Sequence, residues 1–318
     1  MTDGHTNGLI RLSGLDRLDR LGRLINRMNS PTPISNVGIG WRPELALMIA
    51  RTPQINFIEV VAENISPDDL PRPLLQLKER GTTIIPHGTG LSLGSAEPLD
   101  QKRLAHLARL AEKFNAPFVS EHIAFVRAAG HEAGHLLPLP RTRAALDVLA
   151  ENIVTAQAAL PVPLVLENIA ALFEWPGAEM SEVAFITEAL ERTGALLLLD
   201  VANLYANARN HDWDAIGYLK GLPLARLAYV HIAGGITRNR LYHDTHAHRT
   251  PLGALDLLEQ LCARVPPAAV LLERDDHFPA ETELRAELDA ITAAIERGAQ
   301  RRSLQSEASL MQAVNCHV

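Results

Sequence analysis

The sequence predicts an α/β protein of the (β/α)8 TIM-barrel class, and three observations lead there. From Val37 onward, short apolar runs rich in Val, Ile and Leu alternate with longer stretches of helical periodicity. Runs such as IIPH, FVSEH, LVLEN, LLLLD, AYVHI and VLLERD are continuous rather than alternating, as expected of parallel strands buried on both faces. They recur eight times over roughly 250 residues, the span of one closed barrel. A doubly wound sheet is the rival, but no Gly-rich phosphate turn follows the first strand.

Taken in order, the strands are expected at 37–41, 56–62, 82–87, 117–122, 163–167, 195–200, 227–231 and 269–273. Between them, helical spacing predicts helices at 101–114, 141–159, 182–192 and 255–264. Residues 1–34 stand apart as an N-terminal extension. There, Leu or Ile recurs every three to four residues among Arg and Asp, an amphipathic helix pattern broken by Gly14 and Gly22. Ser30-Pro31-Thr32-Pro33 reads as a linker. The barrel domain is assigned to 35–298, and the polar segment 299–318 is expected to be a frayed tail.

With 318 residues and 47% hydrophobic content the chain can bury a full core. A formal net charge of −7 argues against a partner with a phosphate backbone, so no nucleic acid is expected. No window is long and apolar enough to cross a membrane, and no secretory signal is seen, which gives a cytoplasmic setting by default. The two cysteines offer no disulfide framework or thiolate zinc site: Cys262 reads as a buried hydrophobe and Cys316 lies in the tail.

Thirteen histidines are the unusual count, and their positions matter more than their number. Barrel enzymes carry their chemistry at the C-terminal ends of the strands. Here strand two leads into Glu63-Asn64, strand three ends in His87, strand four in Glu121-His122 and strand five in Glu167-Asn168. Strand six ends in Asp200 with Asn203 following, strand seven in His231, and strand eight in Glu273-Arg274-Asp275. The loop after strand seven adds Asp244 and His246. So many acids at one barrel mouth would repel each other unless cations neutralise them. Imidazole with carboxylate suits Fe, Mn, Zn or Co, and the ligand number exceeds what one ion accepts.

Other histidines carry less. The glycine-rich run 87–94 lacks Lys and is no P-loop; it is expected to let the backbone pass close to the metal site. His131 and His135 read as exposed loop residues, His211 as a pocket-lining candidate, and His5, His106 and His317 as solvated.

These motifs, in order, resemble the multinuclear non-haem iron-dependent oxidase family of the methanobactin-biosynthesis type. The matching stretches are GIGWRPE (38–44), IEVVAEN (58–64), HGTGLSLGS (87–95), SEHIAF (120–125), LLPLPRT (136–142) and LENIA (166–170). They continue with RTGALLLLDVANLY (192–205), NHDWD (210–214), HIAGG (231–235), DTH (244–246) and LLERD (271–275). The resemblance implies an AP-endonuclease/xylose-isomerase-like barrel with two or three iron ions and dioxygen as co-substrate. It implies metal ligands at His87, His122, Glu167, Asp200, His231, Asp244, His246 and Glu273, with Glu167 bridging. Asn203 or His211 would help hold a third ion, and Glu63, Asn64 and Asn168 would be second-layer or substrate-facing groups. The implied substrate is a ribosomally made precursor peptide, modified at Cys or near its C-terminus, with a partner protein that captures the leader. Ile169-Ala170, Ala202 and Ala206 depart from the commonest family pattern on the substrate side. A divalent-metal hydrolase or isomerase on the same barrel, or a non-catalytic metal-binding scaffold, remain the alternatives.

Overall fold

The computed structural model describes residues 37–267 and 269–315, with side chains through 308. The N-terminal extension, Cys316 and His317 lie outside the described residues. Eight parallel strands close into a barrel: β1 (Val37–Gly40), β2 (Phe57–Val61), β3 (Thr83–His87), β4 (Val119–His122), β7 (Leu164–Glu167), β8 (Leu196–Asp200), β9 (Leu227–Ile232) and β12 (Val270–Leu272). β1 pairs with both β2 and β12, which completes the ring. All eight coincide with the runs expected from the sequence, to within two residues at each end.

Closure forces half of each strand inward, and the pleat fixes which half. Phe57, Ile85, Phe118, Val165, Leu198, Tyr229 and Leu271 form one inner cluster. This is the apolar floor of the barrel. Two residues further along each strand the inner face carries Glu59, His87, Ser120, Glu167, Asp200, His231 and Glu273, all buried. A one-residue slip of any strand would send its polar group into the apolar layer beneath the helices. Gly38 lets the floor pack, because a Cβ there would meet the Phe57 ring at 2.5 Å.

The outer strand faces pack on the helices in a second, larger core. The helices are α1 (Ala46–Ala50), α2 (Arg72–Glu79), α3 (Gln101–Phe114), α4 (Arg143–Ala159), α5 (Glu182–Thr193), α6 (Val201–His211), α7 (Ala215–Gly221), α8 (Leu252–Cys262) and α9 (Glu281–Asn315). Side-chain caps start several of them: Asp100, Thr142, Ser181 and Asp214 each accept from backbone N–H groups of the first turn. No helix among the described residues is long and apolar enough to cross a membrane.

Two expectations need correction. His131 and His135, read as loop residues, are exposed as expected but lie on an antiparallel hairpin of β5 (Phe125–Ala128) and β6 (His131–Leu137). A second hairpin, β10 (Ile236–Arg238) with β11 (Leu241–His243), follows β9. The expected frayed tail after Gly298 is instead helix, since α9 runs unbroken to Asn315. Gly298 marks a close approach rather than a stop: a Cβ there would lie 2.4 Å from Cys262 Cβ and 2.6 Å from Glu259 O. Arg297 and Arg301 both reach the Glu259 carboxylate, at 2.6 and 2.7 Å, which holds α9 down on α8. Cys262 is buried at that contact, and burial pushes its thiol up to about 12, so it behaves as the small hydrophobe expected.

A buried ion pair ties the last strand to α9. Arg274 Nη2 meets Glu287 Oε2 at 2.6 Å, with both side chains 3% exposed, and Glu287 Oε1 accepts from Thr250 N and Oγ1. Removing one partner of such a pair strands the other charge in the core. Glu287→Ala is expected to cost about 3–5 kcal/mol, lowering Tm by roughly 6–15 °C. Glu287→Gln should cost less, because an acceptor remains for Thr250. Calorimetry on the two variants checks this, and equal losses would refute the charge argument.

Candidate metal centre

Strand register brings the polar inner residues into contact. His87 stands opposite Ser120, His122 opposite Glu167, and Asp200 opposite His231. Glu167 lies at the middle. Its Oε2 is 3.5 Å from His87 Nε2 and 3.3 Å from His122 Nε2, while its Oε1 is 3.3 Å from His231 Nδ1. Glu273 Oε2 is 3.3 Å from the same His231 nitrogen. In the loop after β11, Asp244 Oδ2 lies 3.4 Å from His246 Nε2.

These side chains, with Glu59 of β2, form four overlapping groups of mutually close donors: His87, His122 and Glu167; Glu167, Asp200, His231 and Glu273; Asp200, Asp244 and His246; and Glu59, His87 and Glu273. Glu167 is shared by the first two, Asp200 by the second and third, and His87 and Glu273 join the fourth to the first and second. Donors around one ion at about 2.1 Å stand roughly 3.0–3.4 Å apart in a tetrahedral or octahedral shell, which is close to the spacing seen here. Five of the nine buried side-chain polar atoms without a hydrogen-bond partner among the described residues sit here: Glu167 Oε2, Asp200 Oδ2, His231 Nδ1 and both Asp244 oxygens. Buried polar atoms are rarely left unpaired, so their presence in these donor groups points to ion sites. The donor set is imidazole and carboxylate without thiolate, and it fits iron, manganese, zinc or cobalt.

Neighbouring groups aim the donors. His122 Nδ1 faces Gly88 O at 3.1 Å, which leaves Nε2 toward Glu167. Gly88 begins the glycine-rich loop, which does run beside the site; a Cβ there would lie 2.8 Å from Glu121 Oε2. Glu121, buried, accepts from Leu91 N and His122 N and so pins that loop to β4. Asp200 divides its oxygens: Oδ1 caps α6 by accepting from Asn203 N, and Oδ2 is free for the site. His246 holds a positive φ of 50°, its carbonyl accepting from Asp275 N and its Nδ1 lying 3.1 Å from Asp275 Oδ2. Arg42 in turn binds Asp275.

Charge is balanced narrowly. Burial opposes the His122 imidazolium, yet the Glu167 and Glu121 carboxylates outweigh it and lift its pKa to about 9. His231 and His246 are likewise raised against burial, chiefly by Glu273. Glu273 is held below the usual carboxylate range by those imidazoles, whereas Asp200 is pushed well above it by burial and by Asp244 and Glu167. The acids cannot all ionise together without more positive charge.

Other expected site residues serve the scaffold. Asn168 pairs its amide with the backbone of Asp200, accepting from N and donating to O, and so extends the β7–β8 contact. Asn203 Nδ2 donates to Asn168 O, and Asn207 Nδ2 to Ile169 O. Asn207 Oδ1 accepts from Ala171 N, and His211 Nε2 binds Ala171 O at 2.7 Å. Residues 203, 207 and 211 fall four apart on one face of α6, so this stripe stitches the helix to the loop after β7. His211, expected to line the pocket, is committed to that stitch. Glu63 and Asn64 are exposed; Glu63 Oε1 accepts from Thr89 N. His106, expected to be solvated, instead binds Ala62 O at 2.8 Å. Glu59, buried inside β2 and 3.0 Å from His231 Nε2, was not among the expected site residues. An acid in the middle of FIEVV was the available signal, since a charge inside a dry strand needs a partner.

Beside the site a small cavity is lined by Ile123, Leu139, Arg141, Ile169, Glu182 and Trp213. Glu182 Oε1 accepts from Tyr218 Oη at 3.0 Å. Burial pushes Glu182 up to about 7, against the pull of Tyr218 and Arg141.

The fold and this site define a (β/α)8 TIM barrel with a candidate metal centre at its strand ends. Among solved structures it resembles 3-keto-D-glucoside 4-epimerase from E. coli, with a TM-score of 0.53 at 14% identity over 81% of this chain and 98% of that one. It also resembles D-psicose 3-epimerase from Clostridium cellulolyticum, with a TM-score of 0.51 at 12% identity over 84% and 99%. These likenesses concern the fold. The chain belongs to the family described as RiPP precursor modification enzyme MbnB/TglH/ChrH, whose model matches residues 36–296. It is 51% identical over 294 residues to a UPF0276 protein of Streptomyces avermitilis, covering 90% of this chain but 58% of that relative's length. To a UPF0276 protein of Caulobacter vibrioides it is 35% identical, over 82% of this chain and 94% of the relative.

Two predictions follow from the geometry. Glu167→Ala removes a candidate ligand shared by two groups and should lower bound metal by more than one equivalent, whereas Asp244→Ala should lower it by about one. Plasma mass spectrometry of both variants decides, and equal losses would argue against sharing. Glu182 has a folded pKa above its unfolded value, so its contribution to stability is present below pH ~4.5 and lost as pH rises through about 7. Glu182→Gln cannot ionise and should stabilise at pH 8 by about 1–3 kcal/mol, or roughly 2–8 °C in Tm. At pH 5 the gain should be small. A gain independent of pH would overturn the assignment.

Proposed function

We propose that this chain is a multinuclear iron-dependent oxidase that modifies a ribosomally synthesised precursor peptide, at a cysteine or near its C-terminus, with dioxygen as co-substrate. Family membership supports the peptide substrate. The observation that carries the metal reading is Glu167, which turns one oxygen to His87 and His122 and the other to His231, as a carboxylate between two ions would. Asp200, shared with Asp244 and His246, supports a third position. Asn203 is assigned a supporting role there through its amide oxygen, since its nitrogen is engaged with Asn168.

Iron in these positions would supply Lewis acidity toward a peptide thiolate and one-electron chemistry with dioxygen. The chain's own part is to bind and orient. Glu121 and the glycine-rich loop fix His122, Asp275 fixes the His246 ring, and the buried carboxylates set the local charge. Glu63 and Asn64, exposed beyond β2, are assigned to the substrate side. The loop after β7 presents Leu172, Phe173 and Trp175 to solvent, with Trp175 Nε1 anchored on Pro138 O. Such apolar area supports contact with the peptide or with a partner protein that carries its leader. A cytoplasmic setting accords with the two-cysteine sequence.

The test is metal analysis on protein purified without added metal, followed by oxygen uptake with a candidate precursor peptide. Two or three irons per chain and peptide-dependent oxygen consumption are expected, both lost in His122→Ala and Asp200→Ala. Stoichiometric zinc or manganese without oxygen uptake would replace this reading with a hydrolase or isomerase. Tightly held metal with no turnover of any peptide would indicate a scaffold.

A further inference from the structure

A line of hydrogen-bonded polar side chains runs from the layer of candidate ligands into the floor and back. Glu59, Ser120 and Tyr229 are 3%, 0% and 0% exposed. Tyr229 Oη is 2.6 Å from Glu59 Oε2 and 2.7 Å from Ser120 Oγ. His231 Nε2 is 3.0 Å from the same Glu59 oxygen, and His87 Nδ1 is 2.8 Å from Ser120 Oγ. Five side chains from four strands thus run in one line across the barrel, from His87 to His231.

Counting hydrogens gives the line a direction. A carboxylate only accepts, and a phenol has a single hydrogen. The carboxylate is the stronger acceptor within reach of Tyr229, so the phenol donates to Glu59. Ser120 then donates to the Tyr229 oxygen, and its own oxygen accepts from His87 Nδ1–H. His231 Nε2–H donates to Glu59 from the other side. Every hydrogen has one acceptor, and all point toward Glu59. The nitrogens left facing inward are His87 Nε2 and His231 Nδ1, the two that approach Glu167.

We infer that Glu59, acting through Tyr229 and Ser120, is the positioning residue that sets which ring nitrogen His87 and His231 present to the site. One carboxylate thereby fixes the tautomers of two histidines in different donor groups. This accounts for an acid inside a dry strand, and for a tyrosine on a floor otherwise built of aliphatic and phenylalanine side chains. The inference bears on function through the metal reading, but it concerns protons that exist with or without an ion.

The experiment is nitrogen-15 NMR of full-length protein labelled at histidine, after chelation and again after adding zinc, with assignments from His87→Ala and His231→Ala. Two slowly exchanging downfield N–H signals are expected in both states, one from His87 Nδ1 and one from His231 Nε2. Tyr229→Phe and Ser120→Ala should each shift or lose the His87 signal and spare that of His231 far more. Glu59→Gln should move both, while Ser120→Thr, which keeps a hydroxyl, should restore the His87 signal. Zinc affinity by chelator competition should fall roughly 10–100-fold in Tyr229→Phe and Glu59→Gln. A wild-type His231 bare at Nε2, or signals indifferent to Tyr229→Phe and Glu59→Gln, would overturn the inference. Protein that takes up no metal yet shows both signals would defeat the metal reading and leave this one standing.

Discussion

The pleat of a closed barrel governs everything else in this molecule. Once eight parallel strands join edge to edge, each must turn alternate side chains into a space no wider than the side chains that fill it. Seven strands meet that demand in the same way, with an apolar residue on the floor and a polar one two positions later. His87, Glu167, Asp200, His231 and Glu273 therefore meet because register leaves them nowhere else to point. The site is a layer of the barrel rather than an attachment to it.

That layer carries an electrostatic problem which its neighbours only partly solve. Carboxylates at Glu167, Asp200, Asp244 and Glu273 share a buried volume with four imidazoles, where uncompensated charge is costly. The pKa pattern shows the compromise: His122, His231 and His246 are raised by the acids, Glu167 and Glu273 are lowered by the imidazoles, and Asp200 is left high. Oxygens of Glu167, Asp200 and Asp244 remain without hydrogen-bond partners in the donor groups. Positive charge from a metal ion would resolve both at once, which is why the arrangement reads as a candidate metal centre and not as an ion-pair network. A true buried ion pair in this chain looks different. Arg274 and Glu287 meet at 2.6 Å with Thr250 completing the acceptor.

Around that layer, polar residues that resemble reactive groups turn out to hold backbone. Asn203, Asn207 and His211 form a ladder along one face of α6 that satisfies carbonyls and an N–H of the loop after β7, groups that would otherwise be left without partners. Asn168 does the same between β7 and β8. Rigid support of this kind matters for a multi-ligand centre, because donors must be held within fractions of an ångström to share an ion. The exposed Leu172, Phe173 and Trp175 then project from a well-anchored loop base.

The sequence by itself determined the barrel, its eight strands and the ligand-rich strand ends, because continuous apolar runs closed by His, Asp or Glu follow from local chemistry. It also marked Cys262 as core. Only the tertiary structure decided which polar residues face one another. Glu59 was invisible as a partner because His231 and Tyr229 lie some 170 residues away along the chain. His211 and Asn168 were legible as polar residues near a mouth, but their hydrogen bonds depend on helix-to-loop packing that no spacing rule contains. The helix after Gly298 was hidden for the same reason: it is held by how closely α9 approaches Cys262 and Glu259. Local pattern fixes where a side chain sits on its element; cross-barrel register and helix packing fix what it touches.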